Sequence, residues 1–259
     1  MFCRRKAAAG EFGDFVYAEG EYIHDLDSAC SLRQVKANRL SGAAGREWQA
    51  LQQQRGAAPG DGPMHYPTHS VSGPIAVMET RALEVTAYGY RNRTGDPYFE
   101  DHAFSNEMAL FKLANGAVMR VCEMREAGAP MHDSESFRIV GTRGMYTEDR
   151  WADNGRTGPE PGHPPEWTGL TPESMRDPLP EAVAEAFDQA REATQTSYGG
   201  HGGSHPYLIH EFVDAVNADR TPAINVWEAT HYMAMGVTAH KSALADGQKL
   251  EVPDWGCAD

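Results

Sequence analysis

Hydrophobic and polar residues change their period along the chain. In "EFGDFVYAEGEYIHD", Phe15, Tyr17, Glu19, Glu21 and Ile23 alternate with Val16, Ala18, Gly20 and Tyr22, the period of two that a strand imposes. The next stretch, 26–63, begins polar and becomes rich in Gly and Pro. Its "GAAGREWQALQQQRGAAPGDGP" offers one short helical run, with Trp48 as an anchor, so 42–63 reads as a long loop. "ALEVTAYGYR", "EMALFKLANGAVMRVCEMRE" and "ESFRIVGTRGMYTED" read as strands joined by turns. Asn115-Gly116, between two alternating runs, predicts a hairpin with a type I′ turn, because that pair supplies two positive φ angles. Residues 151–178, with Gly, Pro and Trp, read as a second long loop, of a length that suits covering a site, and a helix follows near 180–193.

The period then lengthens to that of a helix. Leu208, Phe212, Ala215 and Val216 share one helical face, which Thr221-Pro222 ends, and "NVWEATHYMAMGVTAHKSALADG" repeats the pattern with Gly247 as its C-cap. These elements predict an α/β (α+β) fold: a mainly antiparallel open sheet with helices on one face, in a single domain over residues 1–259. Phe111, Val118 and Val121 lie on strands whose alternate residues are also largely apolar. The second sheet face therefore needs cover too, and a homo-oligomer packed through the sheet is expected.

Composition narrows the function. With 41% hydrophobic residues the 259-residue chain has enough for a core, and a net charge of −14 with no basic run longer than Arg4-Arg5-Lys6 argues against a nucleic-acid partner. No window approaches the roughly 20 apolar residues of a membrane span, and no apolar core follows the basic residues near the start, so a cytoplasmic location is expected. Cys3, Cys30, Cys122 and Cys257 are far apart and read as free thiols.

Four polar clusters carry candidate chemistry: "EGEYIHD", "HYPTH", "NEMALFK" and "GGHGGSH". Histidine recurs in three of them, and imidazole exchanges protons near neutral pH. In "HYPTH", Pro67 suits a first helical turn, which puts Tyr66 at the helix mouth and His69 on the same face, with His65 turned elsewhere. An ordinary helix start, with Tyr66 packing and His69 capping, fits the same residues. In "GGHGGSH" four glycines bracket His201 and clear space for close approach of a ligand; a loop before a helix is the plainer alternative. His65 with His69, and His201 with His205, have the i, i+4 spacing of metal ligands, although Pro67 and the glycines disturb both pairs.

Together these segments resemble the C-terminal, substrate-binding domain of the Gfo/Idh/MocA oxidoreductase family. "GEFGDFVYAEGEYIHD" is similar to the strand entering that domain, "YPTH" to the helix facing substrate, "NEMALFKLANG" to a central hairpin, and "GGHGGSHPYLIHEFVDAV" to the loop and helix that close the site. The branch it most resembles contains sugar dehydrogenases and NAD-dependent glycosidases. That resemblance implies Tyr66, His69 and His201 as catalytic residues around a sugar, with Glu19, Tyr22, His24 and His205 as substrate neighbours. The family's Rossmann domain, with its glycine fingerprint and Glu-Lys-Pro motif, has no counterpart in the sequence, so the chain alone is expected not to hold NAD(P). Three functions follow as expectations: the carbohydrate half of a sugar oxidoreductase working with an NAD(P)-binding partner; a cofactor-independent acid/base lyase, epimerase or hydratase, with or without the help of a metal; or a non-catalytic carbohydrate-binding or assembly subunit.

Overall fold

A computed structural model describes residues 1–27, 32–54, 61–128, 135–194 and 203–257. They form two compact units, one of Cys3–Leu170 with His231–Asp254, the other of Thr171–Thr230 with the two chain ends. The larger unit contains the sheet, whose described strands run in the order β8-β7-β6-β5-β1-β4-β3-β2-β9. These are β1 (Phe15–Ile23), β2 (Ala82–Tyr90), β3 (Asn106–Leu113), β4 (Val118–Met124), β5 (Glu135–Gly141), β6 (Gly144–Thr147), β7 (Arg150–Asp153), β8 (Glu166–Gly169) and β9 (Leu250–Glu251). All neighbours are antiparallel except β1 and β4, which run parallel. The mainly antiparallel α/β sheet expected from the alternation is therefore present.

Alternation sets what each face does. Ala18, Gly20 and Tyr22 of β1, Ala109 and Phe111 of β3, and Met119 and Val121 of β4 are buried on one face. Helix α4 (Thr68–Met78) lies on that face, burying Val71, Ile75 and Met78 at i, i+4 and i+7. Each such side chain contributes roughly 1.5–3 kcal/mol. Pro74 inside α4 has no N–H to offer the Ser70 carbonyl, and that carbonyl sits against Gly20, where a methyl group would overlap it. The glycine in β1 thus lets the helix approach the sheet. On the opposite face Tyr88, Tyr90, Met108 and Leu110 remain exposed.

Several expectations change in detail. Within 42–63, read as a long loop with one short helical run, that run is present as α3 (Ala43–Gln54), directly after α2 (Leu32–Ser41), and it takes up more of the stretch than a loop reading allows because the Ala, Glu, Leu and Gln of "AAGREWQALQQQ" outweigh its single glycine. The side chain of Trp48 lies outside the described positions. Residues 151–178 are not one loop either: β7 pairs with β8 from Arg150↔Gly169 to Asp153↔Glu166, and Trp151 packs edge-on against Phe12 at 4.8 Å. A capping box joins Thr171 and Ser174 and starts α5 (Pro172–Met175). The β3–β4 hairpin forms as expected, but its loop is not type I′. Only Gly116 has positive φ (89°), and Leu113 closes the loop by donating its N–H to Ala117 O at 2.9 Å and accepting from Gly116 at 3.0 Å, a three-residue connection.

In the smaller unit, α6 (Glu181–Thr194) and α7 (His205–Asn217) appear where the helical period places them. The α7 stripe is helical, yet Leu208, Phe212 and Val216 are exposed and only Ala215 is buried. Helix α8 (Val226–Leu244) ends as expected at a positive-φ pair, Asp246 (54°) and Gly247 (82°). Cys3, Cys122 and Cys257 are free thiols, and Cys30 lies outside the described residues.

Candidate functional site

One row of the sheet builds the site. The pairing registers align Glu135 of β5 with Tyr22 of β1, Tyr22 with Glu123 of β4, and Glu123 with Glu107 of β3. Residues paired across strands project to the same face, so all four stand on the side that α4 covers. Against this row the chain lays Pro63–His65, a 3₁₀ turn, and the first turn of α4.

Two fully buried carboxylates hold the two ends of that segment. Glu107 accepts the Met64 backbone N–H at 2.8 Å and contacts His240 Nδ1 of α8 at 2.7 Å. Gly62 makes room for this pair, since a Cβ there would meet both side chains. Glu123 contacts Ser70 Oγ, the residue after His69, and accepts from Arg125 Nη2 at 2.9 Å. Burial pushes the Glu123 carboxyl up to about 7, against the pull of Arg125, the Ser70 hydrogen bond and His69. Ser70 has one hydroxyl hydrogen and two acceptors, the Glu123 carboxyl and the Pro67 carbonyl at 3.0 Å. A protonated Glu123 satisfies both bonds: it donates to Ser70 Oγ, which donates to Pro67 O.

Between these anchors, Tyr66 and His69 meet Tyr22. The His69 ring stacks on Tyr22 (centroids 4.3 Å, planes 12° apart) and beside Tyr66 (5.1 Å, 25°). Tyr22 and Tyr66 are 6.5 Å apart, too close for a linear stack, so the rings form an open corner. Tyr66 is 52% exposed there. His69 Nδ1 is hydrogen-bonded to Glu135 Oε1. Burial, partly opposed by Arg125, raises the Tyr22 phenol to about 12 and keeps it a neutral donor; the Arg125 guanidinium stands 4.6 Å from its ring centre. Arg125 also borders a cleft of about 260 Å³ whose wall includes Asp25, Arg33, Asn92, Asp96 and Gly128.

The residues singled out from sequence fall in different places. Tyr22, Tyr66 and His69 come together, and His24 joins them at 5.4 Å from Tyr22, its basicity lowered by burial and then by Arg125. Its Nδ1 is buried with no hydrogen-bond partner among the described residues. Glu19 is not with them: it occupies the other sheet face, where it contacts Tyr17, Arg120 and Arg138 at 2.7, 3.3 and 3.1 Å. Burial raises its pKa, but those hydrogen bonds and charges outweigh burial and hold the carboxyl below the usual range. The period-two rule separates 19 from 22. His65 turns away as expected, to Asp61 at 2.7 Å and to the His240 ring at 4.3 Å. His205 begins α7 in the smaller unit, and His201 lies outside the described residues. Among the described residues no three His, Cys, Asp or Glu side chains converge as metal ligands. Sequence reasoning named Glu107 only within the "NEMALFK" cluster, without a role, and missed Glu123 and Glu135 as site residues. Glu107 and Glu123 gave a usable signal, since each is a charge in phase with the buried apolar residues of its strand.

The fold is similar to that of the C-terminal domains of Gfo/Idh/MocA dehydrogenases. It is similar to levoglucosan dehydrogenase in complex with NADH (TM-score 0.61, 16% identity, 98% of this chain and 62% of that one). It is also similar to myo-inositol 2-dehydrogenase from Lactobacillus plantarum (TM-score 0.56, 12% identity, 97% and 61%). Residues 3–258 match the glycosyl hydrolase 109, C-terminal domain, and the chain belongs to that family. Curated relatives include a glycosyl hydrolase family 109 protein of Streptomyces niveus, 25% identical over 97% of this chain and 49% of its own length. Another is an alpha-N-acetylgalactosaminidase of Tannerella forsythia, 24% identical over 98% of this chain and 56% of its own. The chain thus spans about half the length of the curated relatives it matches. No helix among the described residues is long and apolar enough to cross a membrane.

Proposed function

We propose that the chain is the sugar-facing, acid/base half of a glycoside-acting enzyme, with NAD(P) bound by a further domain or partner chain. The observation that carries this reading is the open corner of Tyr22, Tyr66 and His69, with the imidazole held by a carboxylate. Aromatic rings suit the apolar faces of a sugar, and a fixed imidazole suits proton exchange with its hydroxyls. The dinucleotide itself does not fit this chain. The sequence has no G-x-G-x-x-G turn, so every step assigned here is binding or proton transfer.

In this reading Tyr66 and Tyr22 orient the ring, His69 takes or returns a hydroxyl proton, and His24 and the Arg125 cleft receive polar substituents. His201, on its glycine-bracketed stretch, supplies a second acid/base group, with His205 as its neighbour. The T. forsythia relative makes an α-linked N-acetylgalactosaminide the first substrate to test. Turnover should be measured with the chain joined to a dinucleotide-binding domain and NAD⁺ present, where His69→Ala lowers kcat by roughly 10²–10⁴-fold. Near-wild-type turnover in that variant removes His69 from the chemistry. The exposed sheet face of Tyr88, Tyr90, Met108 and Leu110 supports a homo-oligomer assembled through the sheet.

A further inference from the structure

His69 meets Glu135 across 66 residues of sequence. The contact is built by two elements that each fix one partner. Glu135 opens β5 in register with Tyr22, and His69 sits in the first turn of α4, the helix packed on β1 and β5. Two charged groups beside the ring are engaged with others, Glu123 with Ser70 and Arg125, and Arg125 with Glu123 and two carbonyls. Tyr22 and Tyr66 take the ring's sides.

We propose that Glu135 is the positioning residue that sets the proton of His69. An ionised carboxylate only accepts hydrogen bonds, so the neutral imidazole that faces it carries its proton on Nδ1. The lone pair then lies on Nε2. In water the neutral histidine side chain favours the opposite tautomer, with the proton on Nε2, so the carboxylate selects the form that leaves Nε2 as the base. When a sugar O–H bond breaks and its proton passes to Nε2, the imidazolium that forms has Glu135 as its counter-charge. The proton returns along the same bond, with no change of oxidation state at either residue. The substrate part of this assignment rests on the sugar-site reading, while the tautomer does not.

The test separates the two. In the full chain with ¹⁵N-labelled histidine rings, at a pH where the ring is neutral, long-range proton–nitrogen spectra show which nitrogen of His69 is protonated, His69→Gln giving the assignment. Wild type is expected to show Nδ1 protonated with a far-downfield proton. Glu135→Gln, whose amide oxygen still accepts, keeps that tautomer with a less downfield proton, and Glu135→Leu moves the proton to Nε2. Wild-type spectra with the proton on Nε2, or Glu135→Leu spectra unchanged from wild type, overturn the proposal. The first result decides even if the Leu variant fails to fold. In the joined enzyme, Glu135→Leu lowers kcat on the order of 10²-fold with KM little changed, and Glu135→Gln recovers part of it. If the tautomer is as stated but the wild-type enzyme turns over no sugar, the sugar-site reading fails and the assignment of Glu135 as the proton-setting partner stands.

Discussion

Replacing Glu123 by Gln should change how stability depends on pH. The folded-state pKa of Glu123 is about 7, against 4.5 for an ordinary glutamate, because the carboxyl is buried. The folded protein therefore holds this proton up to a higher pH than the unfolded chain does. Below pH 4.5 both states are protonated and the contribution is fully present; it is lost as pH rises through about 7. At 1.36 kcal/mol per pKa unit the loss is on the order of 3 kcal/mol. Glutamine keeps the volume, donates to Ser70 Oγ through its amide, accepts from Arg125, and cannot ionise. Urea unfolding of wild type and Glu123→Gln at pH 5 and pH 8 measures the effect. Most of those 3 kcal/mol should appear as a gain of the variant relative to wild type between the two pH values. A difference that does not change with pH refutes the reasoning. So does a wild type that gains on the variant as pH rises, since that result makes the ionised pair with Arg125 the stabilising form.

Three further substitutions test the framework. Gly20→Ala places a methyl group against the Ser70 carbonyl and should cost at least the 1–3 kcal/mol typical of overpacking, read as a lowered urea midpoint; an unchanged midpoint denies the close approach of α4 to β1. Glu107→Ala strips the acceptor from the Met64 N–H and from His240, and should cost about 3–5 kcal/mol in the same assay. Leu110→Glu, on the exposed sheet face, should leave the midpoint within about 0.5 kcal/mol while turning an oligomer into a monomer by light scattering; a monomeric wild type at micromolar concentration contradicts the sheet-mediated assembly.

The sheet was legible because period-two alternation is a local signal, plainest in β1 and β3, whose burial alternates along their length. Tyr66 and His69 were legible for the same kind of reason, being three residues apart around a proline. The site row was not. Glu135, Tyr22, Glu123 and Glu107 become neighbours only through pairing registers between strands far apart in sequence. Glu19 shows the reverse error: it is close to Tyr22 in sequence, and the strand's own period sends it to the other face. The α7 stripe marked a helix correctly, but periodicity does not say what a face meets, and Leu208 and Phe212 are exposed.

The most direct test of the central claim is calorimetric titration of the chain with methyl α-N-acetylgalactosaminide, for wild type, Tyr66→Ala and His69→Ala, with circular dichroism confirming each fold. Wild type should bind the sugar, and each substitution should weaken binding by 10-fold or more, a difference of about 1.4 kcal/mol. A wild type that does not bind, or variants that bind as tightly as wild type, would contradict a sugar site at the corner of Tyr22, Tyr66 and His69.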